Sequence, residues 1–232
     1  MSLENTARKG VRLTTAIIGV GNIGTAVARH LVGGDESVIV AAKDAEHADA
    51  LALQLGSRAR AASVEEAITG ADVVVFALWL DDMKDVISEH ASLLDGKVVV
   101  DPSNPLGFDA AGQMTRTLPD DTSAGSIVAS LLPAGAHYVK AFGTLSAEAL
   151  AGNANREPQR AVLFYATDDD EAATTVERLI RAAGFEPVKV GGVDAAVRIE
   201  MPGGDLHQFG LNGELLDLDR ARAVLETKGV PV

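Results

Sequence analysis

Between Arg12 and Phe142 the chain alternates short runs of β-branched residues with longer segments whose apolar positions recur at helical spacing. This is the pattern of a parallel sheet covered by crossover helices. Strands are predicted near 14–19, 37–42, 58–61, 72–78, 97–101 and 138–142. Asp44 precedes a helix from Ala45 to Leu55 closed by Gly56, and a short oxygen side chain there serves otherwise orphaned N–H groups. Ser63 and Glu66 have capping-box spacing, and Gly70 ends the helix they open. Asp95-Gly96 turns the chain into Lys97-Val98-Val99-Val100.

After Phe142 the texture changes. Ala151 to Pro158 reads as an exposed loop and Ala161 to Ala166 as a strand. Asp168 and Glu171 form a cap pattern before a helix that places Ala172, Val176, Leu179, Ile180 and Ala183 on one face. Gly184 closes it, and Pro187 to Val190 follows as a second strand. From Gly203 the chain is polar and irregular until a terminal helix, Asp217 to Lys228. The fold class is therefore α/β: a Rossmann-type, doubly wound, mainly parallel sheet over residues 12–145, and a smaller C-terminal α/β extension over 146–232.

The strongest chemical signal is Gly19-Val20-Gly21-Asn22-Ile23-Gly24, wedged between the apolar run Ala16-Ile17-Ile18 and a helix-compatible segment, Thr25 to Leu31. In a dinucleotide site Gly19 permits the tight turn, Gly21 lets backbone approach a pyrophosphate, and Gly24 with Ala28 lets helix and strand pack closely. The bland alternative is an ordinary glycine-rich turn. At the tip of the second strand Ala42-Lys43 places a cation where a 2′-phosphate would sit, so NADP is favoured over NAD. Asp44 has the spacing of a ribose-binding acid, but its preferred role is the helix cap.

Two further segments end at the same sheet edge. Ala77-Leu78-Trp79 closes the fourth strand, and Trp79, the only tryptophan, either roofs the cofactor or packs internally. Asp101-Pro102-Ser103-Asn104-Pro105 forces a rigid exit from the fifth strand, and Asn104 either contacts nicotinamide or substrate or simply breaks the strand. Of the five histidines, His30, His47 and His90 read as surface residues. His137 lies at the edge away from the cofactor, and His207 lies in a flexible tail able to close over a site or simply exposed.

The formal charge of −13 argues against nucleic acid as a partner, because such affinity comes from cations neutralising phosphates. The longest apolar run, Val73 to Leu80, falls well short of the roughly 20 residues that cross a bilayer. Met1-Ser2-Leu3-Glu4-Asn5 also lacks the apolar stretch of a secretion signal, so a cytoplasmic protein without a membrane partner is expected. The absence of cysteine excludes disulfides, thiolate nucleophiles and Cys-based metal sites. No metal site is expected, because Asp168-Asp169-Asp170-Glu171 reads as an acidic helix start.

Gly19 to Gly24, Ala41-Ala42-Lys43, Asp101 to Leu106, Tyr138 to Thr144 and Ala182 to Pro187 together resemble the NADP oxidoreductases of the coenzyme F420-dependent family. The cofactor domain of that family is similar to that of pyrroline-5-carboxylate reductases, and the resemblance covers residues 14 to 200. It implies that the glycine loop cradles the pyrophosphate of NADP, and that Ala42 and Lys43 replace a Ser-Arg pair on the 2′-phosphate. Ala42 lacks the hydroxyl and Lys43 the guanidinium fork, which weakens that selectivity. Gly143 and Thr144 stand where the family reads Phe-Asn-Thr or carries a His facing the second coenzyme, and Gly143 removes that contact. The acceptor implied is coenzyme F420 or a flavin, and related chains pair as homodimers through the C-terminal segment.

No nucleophile–base pair stands out, so no catalytic residue is assigned and ring placement carries the chemistry. Three functions stay open: hydride transfer between NADPH and a flavin-like or deazaflavin acceptor, reduction of imines or small carbonyls, and non-catalytic sensing of NADPH.

Overall fold

Apolar runs such as Thr15-Ala16-Ile17-Ile18 and Val73-Val74-Val75-Phe76 are buried on both faces, as a parallel sheet covered by helices requires. The computed structural model describes residues 13–229; the reading of Met1 to Asn5 lies outside the described residues. The strands are β1 (Thr15–Ile18), β2 (Val38–Ala41), β3 (Ala59–Ala61), β4 (Val73–Phe76), β5 (Val98–Asp101), β6 (Leu106–Phe108), β7 (Met114–Arg116), β8 (His137–Lys140), β9 (Val162–Tyr165) and β10 (Glu186–Lys189). The helices are α1 (Asn22–Gly33), α2 (Ala45–Leu55), α3 (Val64–Thr69), α4 (Leu80–His90), α5 (Ala124–Leu131), α6 (Ala147–Gly152), α7 (Asp170–Ala182) and α8 (Leu218–Thr227).

Six strands pair in parallel in the order β3-β2-β1-β4-β5-β8. The chain runs outward from β1 through β3 and then returns to β4 on the other side of β1. This creates a topological switch point, and the crevice beyond the C-terminal ends of β1 and β4 is where such folds hold ligands. The predicted doubly wound sheet is thus present.

Alternate residues of each strand feed opposite layers. Ile17, Val40, Val75 and Val100 pack with Val27 and Leu31 of α1 and with Val176, Leu179 and Ile180 of α7. Ile18, Ile39, Val74 and Val99 pack with Met83 and Ile87 of α4 and Val128 of α5. Each fully buried side chain of this size contributes about 1.5–3 kcal/mol. β9 and β10 form a separate parallel pair joined to β8 by an antiparallel bridge between Lys140 and Ala166. Among the described residues no helix is long and apolar enough to cross a membrane.

Several local expectations change. α1 begins at Asn22 rather than Thr25, because Gly21 itself serves as its N-cap. Asp169, not Asp168, caps α7: its Oδ1 accepts from the N–H groups of Glu171 and Ala172, whereas Asp168 accepts from Val193 N–H at 3.1 Å. The β6–β7 hairpin was not foreseen. Beyond Gly203 the chain is not an exposed tail, since Leu206, Leu216, Ala221 and Leu225 pack on Val162 and Phe164.

Candidate functional site

The glycines of the first loop do three different jobs. Gly19 adopts φ +99°, and a Cβ there would overlap the Ala77 carbonyl oxygen. A Cβ on Gly24 would overlap the Gly19 carbonyl oxygen, so this residue brings α1 against the turn. At Gly21 a Cβ would meet nothing within 4 Å. Gly21 therefore faces open space and caps α1 without a side chain, which leaves the first-turn N–H groups aimed outward. Thr25 Oγ1 donates to Val20 O at 2.9 Å and ties the loop to the helix.

That open space belongs to a cavity of about 460 Å³ at the switch point. Its wall combines Gly21, Asn22 and Ile23 after β1 with Ala77, Leu78 and Trp79 after β4. Pro102, Ser103, Asn104 and Leu106 follow β5, Gly143 and Leu145 follow β8, and Ser146, Ala147 and Met201 complete it. Among the described residues no Asp, Glu, His, Lys, Arg or Tyr lines it. The structure thus brings together eight residues singled out from sequence: Gly21, Asn22, Ile23, Ala77, Leu78, Trp79, Asn104 and Gly143. Gly19 and Gly24 support the loop from behind.

Trp79 is half-exposed at the mouth, where its ring meets Phe108 edge-on with centroids 6.3 Å apart. Asn104 serves as a brace: its Nδ2 donates to Gly143 O at 3.1 Å and its Oδ1 accepts from Met201 N–H at 2.8 Å. Gly143 is glycine for a reason the sequence did not reveal, since a Cβ there would overlap the Pro102 carbonyl oxygen. Phe142, buried just before it, holds φ +65°, a left-handed conformation costing on the order of 1–3 kcal/mol that turns the chain into this contact.

Under the floor lies a buried polar network that sequence reasoning missed. Lys140 Nζ donates to Asp101 Oδ2 at 3.0 Å and to Ser103 O at 2.6 Å, and it lies 3.4 Å from Glu200 Oε1. Tyr138 OH donates to Asp101 Oδ2, while burial and then Asp101 raise the phenol well above its ordinary pKa. Glu200 also accepts from Ser123 Oγ and from the N–H groups of Ala124 and Gly125. The available signals were the polar ends of two apolar strands, Asp101 and Lys140. Glu200 had none.

Ala42 and Lys43 stand at the tip of β2 and do not line the cavity. Lys43 is exposed and, among the described residues, has no ion-pair partner. Asp44 accepts from Glu46 N–H as the cap of α2. Thr144 and His207 also lie off the cavity, and Thr144 Oγ1 is buried without a hydrogen-bond partner. His207 is 1% exposed, which corrects the reading of an exposed tail. Its Nδ1 accepts from Phe209 N–H, so the neutral ring carries its proton on Nε2, and burial pushes its pKa down to about 4. His30 is likewise no free surface residue, since its Nε2 meets Leu150 O at 2.9 Å and its ring meets Phe185 edge-on. His90 is also largely covered, whereas His47 is exposed as expected.

Residues 14–105 match the family described as NADP oxidoreductase, coenzyme F420-dependent. A provisionally assigned F420-dependent NADP-reductase from Arthrobacter sp. FB24 shares the fold with a TM-score of 0.72 at 22% identity, over 82% of this chain and 89% of that one. Residues 14–105 thus carry this family's pattern, and the longer likeness shows a shared fold. A Sinorhizobium meliloti protein of unassigned function superposes with a TM-score of 0.76 at 30% identity, over 88% of this chain and 95% of that one. The metalloreductase STEAP3 of Rattus norvegicus is 33% identical over 184 residues, 79% of this chain, and the chain spans 35% of that relative's length. A reductive aminase from Aspergillus terreus, in complex with NADPH and ethyl levulinate, shares the fold at 21% identity with a TM-score of 0.61, over 87% of this chain and 60% of that one.

Proposed function

We propose that the chain binds NADPH along the Gly19–Gly24 loop and directs its hydride to the ring of a flavin- or deazaflavin-like acceptor in the adjoining cavity. The residues fit the cofactor: the space at Gly21 admits a pyrophosphate, the first-turn N–H groups of α1 point at it, and Lys43 offers an unpaired cation toward a 2′-phosphate. NADPH when bound supplies a hydride from nicotinamide C4. The chain's part is to hold two rings face to face.

The observation that carries the choice of acceptor is the lining without a titratable side chain. Reduction of an imine or ketone puts hydride on carbon while nitrogen or oxygen takes a proton, which calls for a donor within reach. A flavin-like ring accepts hydride at N5, or at C5 in a deazaflavin, and spreads the electron pair over its pyrimidine half. Solvent can then deliver the balancing proton. Ser103 Oγ, buried at the wall without a protein partner, is left to hydrogen-bond a ring heteroatom. The metalloreductase relative supports the same reading, because metal ions take single electrons and a flavin-like ring converts a hydride pair into such steps.

Anaerobic mixing of the protein and NADPH with riboflavin, a 5-deazaflavin, a cyclic imine and a ketone tests the proposal. Loss of the reduced-nicotinamide absorbance is expected with the two ring acceptors only. Turnover confined to the imine or ketone would overturn it.

A further inference from the structure

Three of the exposed large hydrophobic side chains converge on one patch at the cavity mouth. Trp79, Phe108 and Met114 are 55%, 60% and 48% exposed. Phe108 and Met114 stand directly opposite each other across the β6–β7 hairpin, so they share one face of it. Phe108 meets Trp79 at an interplanar angle of 72°. The patch is continuous with the cavity, because Trp79 belongs to both and Leu106, two residues before Phe108 on β6, lines the cavity. The hairpin is also held at its base: Arg116 Nη1 donates to Pro202 O at 2.9 Å and Nη2 to Thr122 O at 2.7 Å. The aromatic lip is therefore preformed.

Carboxylates outnumber uncommitted cations around the lip. Asp81 and Asp82 follow Trp79 in the first turn of α4, and Asp109 follows Phe108. The nearby cations are committed, Lys84 to Asp81 at 2.5 Å and Arg116 to main-chain carbonyls and Glu200. Among the described residues the lip thus offers no free cation to a phosphate.

We infer that Trp79, Phe108 and Met114 form the platform on which the acceptor's ring stacks, and that this platform selects a planar heteroaromatic ring without a phosphate tail. The inference rests on the hydride-to-ring reading above and sharpens it. Edge-to-face packing leaves ring faces open, and a flat ring laid on them gains stacking together with apolar burial. Carboxylates beside the mouth repel a phosphorylated ring, more so at low ionic strength. Because the lip is half-exposed, the acceptor exchanges with solvent between turnovers and is a substrate, not a resident group.

Trp79, as the only tryptophan, reports directly on this site. Its emission is titrated with riboflavin and with FMN while NADP⁺ saturates the cofactor site. Riboflavin is expected to quench it saturably, and FMN to bind several-fold more weakly in low salt, the gap closing as salt is added. Phe108→Ala alters an exposed side chain, so the fold is retained. It should weaken riboflavin roughly tenfold and raise its KM with little change in kcat, and Phe108→Tyr should restore binding. NADPH affinity, measured separately by calorimetry, stays unchanged in both variants. FMN binding as tight as riboflavin in low salt, or riboflavin affinity indifferent to Phe108→Ala, would overturn the inference. So would a Trp79 emission that shifts on dilution of the protein alone, which would mean a second copy covers the lip. Ring binding without turnover would contradict the proposed hydride transfer and leave the platform standing.

Discussion

Lys140 Nζ donates to Asp101 Oδ2 at 3.0 Å where neither side chain reaches solvent. The contact latches the end of β8 to the end of β5, and its extension to Glu200 anchors the segment that supplies Met201 to the cavity. Lys140→Met would strand Asp101 and Glu200 in the interior. A stability loss of about 3–5 kcal/mol is expected, the magnitude for removing one partner of a buried ion pair. Urea denaturation followed by circular dichroism measures it. A loss below about 1 kcal/mol would show that the network is not electrostatically strained by removing its cation.

Gly21 separates binding from folding. Because a Cβ there points into open space, Gly21→Val should leave the melting temperature nearly unchanged while filling the approach of a pyrophosphate. Calorimetric titration should show NADPH affinity falling at least tenfold. The same substitution at Gly24, where a Cβ strikes Gly19, should damage the fold instead.

The His137–Asp169 pair gives a pH signature. Its hydrogen bond to Asp169 raises His137, while Ala172 N–H and then His137 lower Asp169. The histidine contribution is full below its unfolded value of 6.5 and is lost as pH rises through the raised folded value. The aspartate contribution is present above 3.8 and is lost as pH falls through the lowered value. The stability difference between wild type and His137→Gln should thus peak between 3.8 and 6.5 and shrink above neutrality. Its size should be about 1 kcal/mol or less at this partly exposed site. Denaturation midpoints across pH check it, and a difference that grows with alkalinity would refute the assignment.

Lys43 tests the cofactor preference. Lys43→Glu replaces attraction by repulsion at a 2′-phosphate, where one charged hydrogen bond is worth about 1.5–3 kcal/mol. NADPH affinity should fall roughly ten- to a hundredfold, with NADH nearly unaffected. Equal losses for both would make Lys43 a general support of the site.

Features written in local spacing were legible in the sequence. The glycine loop, the Ser63–Glu66 capping box and the Asp44 cap lie within a few residues of their partners, and all are in place. Features built from distant contacts were not. The β6–β7 strands have three residues each and include Gly107, too short to show alternation. Glu200 meets Ser123 across 77 residues, and only the fold reveals that pairing. His207 sits in a polar stretch, so its burial depends on how a 3₁₀ turn folds that stretch back against Thr144, whose carbonyl accepts from Gln208 N–H. Gly143 read as a missing side chain, whereas the backbone of Pro102 leaves no room for one.

The central claim, direct transfer from nicotinamide to an acceptor ring, is tested most directly by isotope. NADPH deuterated at the transferred C4 position is mixed anaerobically with the protein and a 5-deazaflavin, whose C5–H does not exchange with water. The account predicts deuterium at C5 of the reduced ring in ordinary water, and none there when unlabelled NADPH is used in heavy water. Deuterium acquired from the solvent, or no reduction of the ring at all, would contradict it.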